Sequence, residues 1–304
     1  MSWFLIALIG PILWAIVNHI DKFLLSDRFE GSNVGALMIF STLQCGLLIP
    51  IFYFIDSNIL SVGFGNITLL IFTGILSVFA IMPYMYALDE EEASIVIPLF
   101  QLIPIWGYIF AYFLLGETLT FIQLVGCLLI IGGSTIITLD FDEEKKIKFK
   151  KKIILLMLLS TVLFAFYETL FKFIAVDAGF IISSFWEYIG VFLMGVLFYI
   201  FIKKYRLSFL NLLKTQGKKI ISLNVASETL TIVGNVAVNF ALIVAPVALT
   251  LTISGVQPIF VFTIGIFLTI FFPKIYKEKI SKRHLIQKII SIMIMIIGSI
   301  IINL

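Results

Sequence analysis

Charge is scarce in this chain of 304 residues: 13% are Asp, Glu, Lys or Arg, against 61% hydrophobic. So much apolar surface exceeds what a water-soluble core of this size buries, which excludes an ordinary soluble domain and places the chain in a membrane. Cysteine is nearly absent, and Cys45 and Cys127 both fall inside hydrophobic runs. That excludes a disulfide framework and a thiolate metal site, and no metal or cofactor is expected. Histidine occurs twice: His284 stands among basic loop residues, and His19 reads as a solvated cap ending the first apolar run. Paired G-x-G-D aspartates, a G-x-S-G serine and H-E-x-x-H are all missing, so no catalytic residue is assigned and an intramembrane enzyme is the least favoured class. The amino terminus, MSWFLIALIG, lacks the basic segment of a signal peptide and reads as a span.

What is present is a series of long apolar runs. About 20 residues cross a bilayer core of about 30 Å. Polar breaks divide the chain into ten such runs, at 3–21, 33–55, 67–88, 93–115, 120–139, 153–174, 180–202, 220–243, 247–271 and 285–303. Backbone amides in lipid must be satisfied within their own segment, and the runs are too long for alternating barrel strands. The expected fold is therefore an all-α integral membrane protein of ten transmembrane helices.

Basic residues are distributed unevenly. Connections 1–2, 5–6, 7–8 and 9–10 hold 2, 6, 6 and 5 Lys or Arg, which is 19 of the 21; Lys288 follows at the start of the last run, on the same side, and the other is Lys172. These connections share one side of a ten-span chain. The positive-inside tendency makes that side cytoplasmic and places both termini outside a cell membrane. The clusters read as anchors at an anionic lipid surface, not as nucleic-acid patches.

The two halves echo each other. LIGPILWAIVNHIDKF (8–23) and LLSTVLFAFYETLFKF (158–173) share five of sixteen positions at an offset of 150, including Lys22 and Lys172. Tyr86–Pro104 matches Phe240–Pro258 at 154, pairing Pro104 with Pro258. The division is a first repeat at 1–139, a charged linker at 140–152 (DFDEEKKIKFKKK from Asp140) and a second repeat at 153–304. With five spans per half, the second copy enters the membrane upside down, and inverted repeats are an architecture of secondary transporters.

The segment from Leu115 to Gly133 reads L-G-E-x-L-T-x-x-Q-x-x-G-x-x-L-I-x-x-G. It resembles the EamA domain of the drug/metabolite transporter superfamily. The resemblance implies ten helices in two inverted repeats and transport of small metabolites, without naming one. The second half matches more loosely, with Glu278-Lys279-Ile280-Ser281 standing where Glu117-Thr118-Leu119-Thr120 stand. Family habit also places both termini in the cytosol, against the charge count.

Ionisable groups inside a span cost a few kcal/mol at least, so each invites a functional reading. Glu228 lies about 13 Å along its helix from Lys219, and Thr231, Asn235 and Asn239 follow it on one face, at 1.5 Å per residue. It is the candidate coupling-ion site; interhelical hydrogen bonding is the bland alternative. Ser160, Phe164, Glu168 and Lys172 form another face, with Glu168 and Lys172 a candidate i,i+4 salt bridge. Their first-half counterparts are Trp14, Asn18 and Lys22, so the expected pocket is asymmetric and acidic on the second-half side. Glu187, flanked by Trp186 and Tyr188, suits a cationic guest or an interfacial belt equally. Gln101 before Pro104 and Gln257 before Pro258 sit where proline frees backbone carbonyls. The candidate substrate-binding set is thus Trp14, Asn18, Gln101, Phe164, Glu168, Trp186, Glu187, Tyr188, Glu228, Asn235, Asn239 and Gln257.

These residues point to a secondary active transporter, proton-coupled or an exchanger, that moves a small cationic or zwitterionic metabolite by alternating access as a monomer or homodimer. A multidrug or lipophilic-cation exporter, and a lipid-handling or non-transporting protein, stay open.

Overall fold

The computed structural model describes residues 2–25, 34–56, 58–90, 96–138, 151–215, 218–271 and 282–303. Among them every regular element is a helix: α1 (Ser2–Leu25), α2 (Val34–Cys45), α3 (Leu48–Ile55), α4 (Phe64–Glu90), α5 (Ile103–Leu115), α6 (Phe121–Thr138), α7 (Lys151–Ala178), α8 (Phe180–Phe201), α9 (Lys203–Thr215), α10 (Lys218–Val244), α11 (Val247–Ser254), α12 (Gln257–Phe271) and α13 (Lys282–Ile302). Short 3-10 turns occupy Ile59–Ser61 and Ile97–Leu102. Eight segments are long and apolar enough to cross a membrane, and Leu99–Leu115 and Phe121–Ile136 are shorter apolar helices. Residues 140–150 of the expected linker and Glu278–Ser281 lie outside the described residues. Lys152, at the start of α7, pairs with Glu90 at the end of α4.

Three of the apolar runs are broken, each by the same covalent cause. A proline lacks the amide that would bond the carbonyl four residues earlier, and its ring crowds that carbonyl. Pro50 stands four residues after Gly46, where α2 gives way to α3 through short bonds from Gly46 to Leu43 and from Leu47 to Gln44. Pro104 ends the 3-10 stretch Ile97–Leu102 and opens α5. Pro258 stands four residues after Ser254, the last residue of α11, and α12 restarts at Gln257. Pro11 and Pro83 lie inside α1 and α4 without ending them.

Helix pairs that matter for the site differ in closeness. α4 and α8 approach backbone to backbone: a Cβ on Gly74 would strike the Glu187 carbonyl, and one on Gly190 the Ile71 carbonyl. α1 and α10 are nearly as close, with Trp14 laid over Gly234, where an added Cβ would come within 2.8 Å of the indole nitrogen. α6 and α13 meet through Gly126 and Gly298, whose added Cβ atoms would each lie under 3.0 Å from the other helix's backbone oxygen. α2 and α10, by contrast, meet sparsely, through polar side chains described below.

His19 is buried, not a solvated cap: its Nε2 lies 2.9 Å from the Val261 carbonyl of α12, and a carbonyl can only accept. The end of α1 is covered by a helix more than 240 residues later in the chain.

Candidate functional site

The polar face of α10 forms one wall of the site. Ser41 of α2 donates its hydroxyl to Glu228 Oε1 at 2.5 Å. One turn further along α2, Gln44 Nε2 donates to the Val225 carbonyl at 3.0 Å and to the Thr229 hydroxyl at 3.1 Å. Three turns beyond Glu228, Asn239 is buried and donates Nδ2 to Glu187 Oε2 of α8 at 2.9 Å. Thr231 spends its hydroxyl on the Ser227 carbonyl of its own helix.

Between these anchored residues, Asn235 is exposed. At about 100° per residue, it lies about 140–180° around the axis from Val233, Phe240 and Val244, the exposed large apolar residues of the neighbouring turns of α10, and about 80° from Val225, ten residues earlier. Its exposure is therefore to a gap inside the bundle and not to the surrounding lipid. Asn18 on α1 repeats the arrangement, exposed about 120–180° away from the exposed Leu5, Ile9 and Ile12. Two amide side chains thus open onto interior space.

Acid faces the same interior from α7 and α8. Glu187 is 4% exposed. Glu168 Oε1 accepts from the Tyr167 hydroxyl at 3.2 Å, while its Oε2 is buried with no hydrogen-bond partner. Glu168 and Glu187 are near enough for their charges to interact, and Cys45 feels both Glu187 and Glu228. The three carboxylates singled out from sequence are brought around one region, by α7, α8 and α10.

Lys172 is not among their partners, which corrects the Glu168–Lys172 salt bridge. Its Nζ lies 2.5 Å from Glu117 Oε1 and donates to the Ala245 carbonyl at 2.6 Å. The reason is competition between acceptors. Ala245 follows the end of α10, where helical carbonyls are open, and Glu117 offers a carboxylate beside it. Glu117 Oε2 also accepts the Val247 N–H at 2.8 Å, satisfying an orphan donor at the first turn of α11, where negative charge is favoured. Gly116, at φ 66°, turns the chain out of α5 to present this carboxylate. Sequence reasoning used Glu117 as a motif letter and missed it as a partner.

The aromatic candidates divide. Phe164 belongs to a run of rings from three elements: Tyr84–Phe100 at 4.6 Å, Phe100–Phe164 at 5.8 Å and Phe164–Tyr167 at 5.6 Å between centroids. Trp186 donates Nε1 to the Ile59 carbonyl at 3.0 Å, and Tyr188 stacks on Phe52 at 5.9 Å. Each ring beside Glu187 thus has a partner of its own. Gln101 is buried, with Oε1 unpartnered, and an added Cβ on Gly255 would come within 2.8 Å of that oxygen, so two proline-broken segments cross at their breaks. Gln257 is half-buried at the first turn of α12. A separate cleft of ≈ 270 Å³ is lined by Ser61, Val62, Gly63, Asn66, Asp177 and Ala178. Asp177 is nine residues, about 13 Å of helix, past Glu168, so this cleft holds none of the candidates.

Residues 1–139 match the EamA-like transporter family. A protein of Salmonella typhimurium (strain LT2) described as a "Probable amino-acid metabolite efflux pump" is 31% identical over 160 residues, covering 48% of this chain. The chain matches about half (51%) of that relative's length. A crystal structure of a protein 14% identical in sequence superposes with a TM-score of 0.67 over 99% of this chain and 96% of that one, a likeness of fold.

Proposed function

We propose, from the match of residues 1–139 to the EamA-like transporter family, that the chain is a member of that family and a secondary active transporter that carries a small cationic or zwitterionic metabolite across the membrane by alternating access. The observation that carries the charge preference is Glu168: one of its oxygens is buried without a partner, beside the buried Glu187. Two carboxylates in a poorly hydrated interior call for positive charge, as a proton or as the ammonium of a guest. Glu228, which accepts the Ser41 hydroxyl of α2 and is half-buried at mid-helix, is the coupling site. The Salmonella relative's description as an efflux pump for amino-acid metabolites is consistent with a zwitterionic cargo.

Ten crossings arranged as two inverted repeats account for the packing. Exchange of halves maps the close pair α1–α10 onto α7–α4, and the break at Pro104 onto that at Pro258. It also maps α4–α8 onto α10–α2. The first of these pairs is closed backbone to backbone and the second is sparse, with Asn235 exposed near it. In a symmetric scaffold such a difference marks one of two alternating states, with the pathway open along α2 and α10. The amide and carboxylate lining favours a soluble solute over a lipid. The charge bias of the basic connections favours both termini outside, against the family habit of termini inside.

Reconstituted protein under an imposed pH gradient tests the coupling. Glu228→Gln is expected to abolish gradient-driven uptake of amino acids or amines while leaving the protein folded, and unchanged uptake rejects Glu228 as the coupling site.

A further inference from the structure

α9 has no counterpart in the first half. The connection from α3 to α4 is a single 3-10 turn, Ile59–Ser61, with no basic residue between positions 56 and 63, whereas α8 and α10 are joined by a 13-residue helix, KKYRLSFLNLLKT. No transport element above uses it.

Its two sides do different things. The inward side carries Tyr205, Phe209 and Leu212, of which Tyr205 and Leu212 are buried. The Tyr205 ring rests on Gly35 at the start of α2, where any Cβ would collide with it, and packs edge-on against Phe198 of α8 at 5.7 Å. Its hydroxyl hydrogen-bonds that of Tyr86 near the end of α4. Arg206 holds α9 against the end of α8, donating to the Ile200 carbonyl at 3.2 Å and the Tyr199 carbonyl at 3.4 Å, the open carbonyls of a helix terminus. One tyrosine therefore touches three helices, α2, α4 and α8, that border the acidic interior.

The outward side carries Lys203, Leu207 and Lys214, all exposed and within about 40° of one another opposite Tyr205. Lys204 is exposed beside them, and Phe201 and Leu213 add exposed apolar surface. None of the three lysines has a carboxylate partner among the described residues. Interleaved lysine and leucine on a short helix at the end of a span match a headgroup layer, with ammonium groups toward phosphate and leucine toward acyl chains.

We propose that α9 is a binding site for anionic phospholipid headgroups, and that lipid bound there stabilises the packing of α2, α4 and α8 through Tyr205. The proposal stands apart from the choice of substrate. Soluble acids do not substitute, because the leucines need the acyl chains next to the phosphates.

The full-length protein in nanodiscs is the test, with the unfolding temperature followed by tryptophan fluorescence as phosphatidylglycerol replaces phosphatidylcholine. The wild type is expected to rise by about 4 °C or more, reversibly in high salt. K203Q/K204Q/K214Q is expected to match the wild type in pure phosphatidylcholine and to lose most of the rise. A charge-matched variant in the linker, K145Q/K148Q/K150Q, is expected to keep it. A flat wild-type response, an undiminished response in the α9 variant, an equal loss in the linker variant, or a rise produced by soluble glycerophosphoglycerol overturns the proposal.

Discussion

Lys172 and Glu117 form an ion pair that joins the two halves of the chain, with Nζ 2.5 Å from Oε1 and side chains only 9% and 17% exposed. Around it, the Ala245 carbonyl takes a second ammonium hydrogen and the Val247 amide binds the other carboxylate oxygen. Four groups from α7, the turn after α5 and the junction of α10 with α11 are thereby fixed together. A pair so placed cross-links the first half of the chain to the second.

Removing one member leaves the other charge buried. Lys172→Met and Glu117→Gln are each expected to cost about 3 kcal/mol, read as a fall in unfolding temperature in detergent. The double variant should lose clearly less than the two single losses combined. Strict additivity would mean that the pair carries no coupling.

Asn239 donates the hydrogen bond that Glu187 Oε2 accepts. Asn239→Ala strips that donor and is expected to cost about 1–3 kcal/mol, whereas Asn239→Asp adds a fourth acid to the region and should be worse. If the aspartate variant were the more stable of the two, the acidic interior described for Glu168 and Glu187 would be wrong.

Asn235 and Asn18 are predicted to face water inside the bundle. With Cys45 and Cys127 replaced by alanine, Asn235→Cys and Asn18→Cys should react with a charged, hydrophilic thiol reagent, and Val233→Cys, on the lipid-facing side of α10, should not. Equal reactivity at Asn235 and Val233 would remove the case for a gap.

Gly190 permits the backbone contact between α8 and α4. Gly190→Ala drives a methyl into the Ile71 carbonyl and is expected to cost about 2 kcal/mol or more in stability. The contrasting Gly132→Ala, with nothing within 4 Å of the new methyl, should be neutral or slightly stabilising.

Much of this architecture is legible in the sequence because it follows from local chemistry. Apolar runs of 20 residues specify spans, and Pro104 and Pro258 specify breaks four residues upstream. Pro50 obeys the same rule, and its break in the second run was there to be read. The spacing of Glu228, Asn235 and Asn239 predicts a shared face, which the helix geometry delivers. Partners are another matter. Lys172 has an acid four residues earlier and takes one 55 residues away, because the choice depends on which carboxylate the folded chain brings beside an open carbonyl. Likewise Ser41 and Gln44 look like ordinary polar residues in an apolar run until α10 is laid against them. The stretch from Lys203 to Thr215 reads as a basic anchor by composition; only the buried Tyr205 and Leu212 reveal it as a packed helix.

The central claim is that an acidic interior selects positively charged or zwitterionic solutes. It is tested most directly by ligand-induced stabilisation of the purified protein, comparing amines, amino acids, sugars and nucleotides. A ligand at 100 times its dissociation constant stabilises the folded state by about 2.7 kcal/mol, well within reach of a melting curve. The account predicts that amines or amino acids raise the unfolding temperature, and that Glu168→Gln and Glu187→Gln reduce the rise. Stabilisation by anionic sugars or nucleotides alone would contradict it.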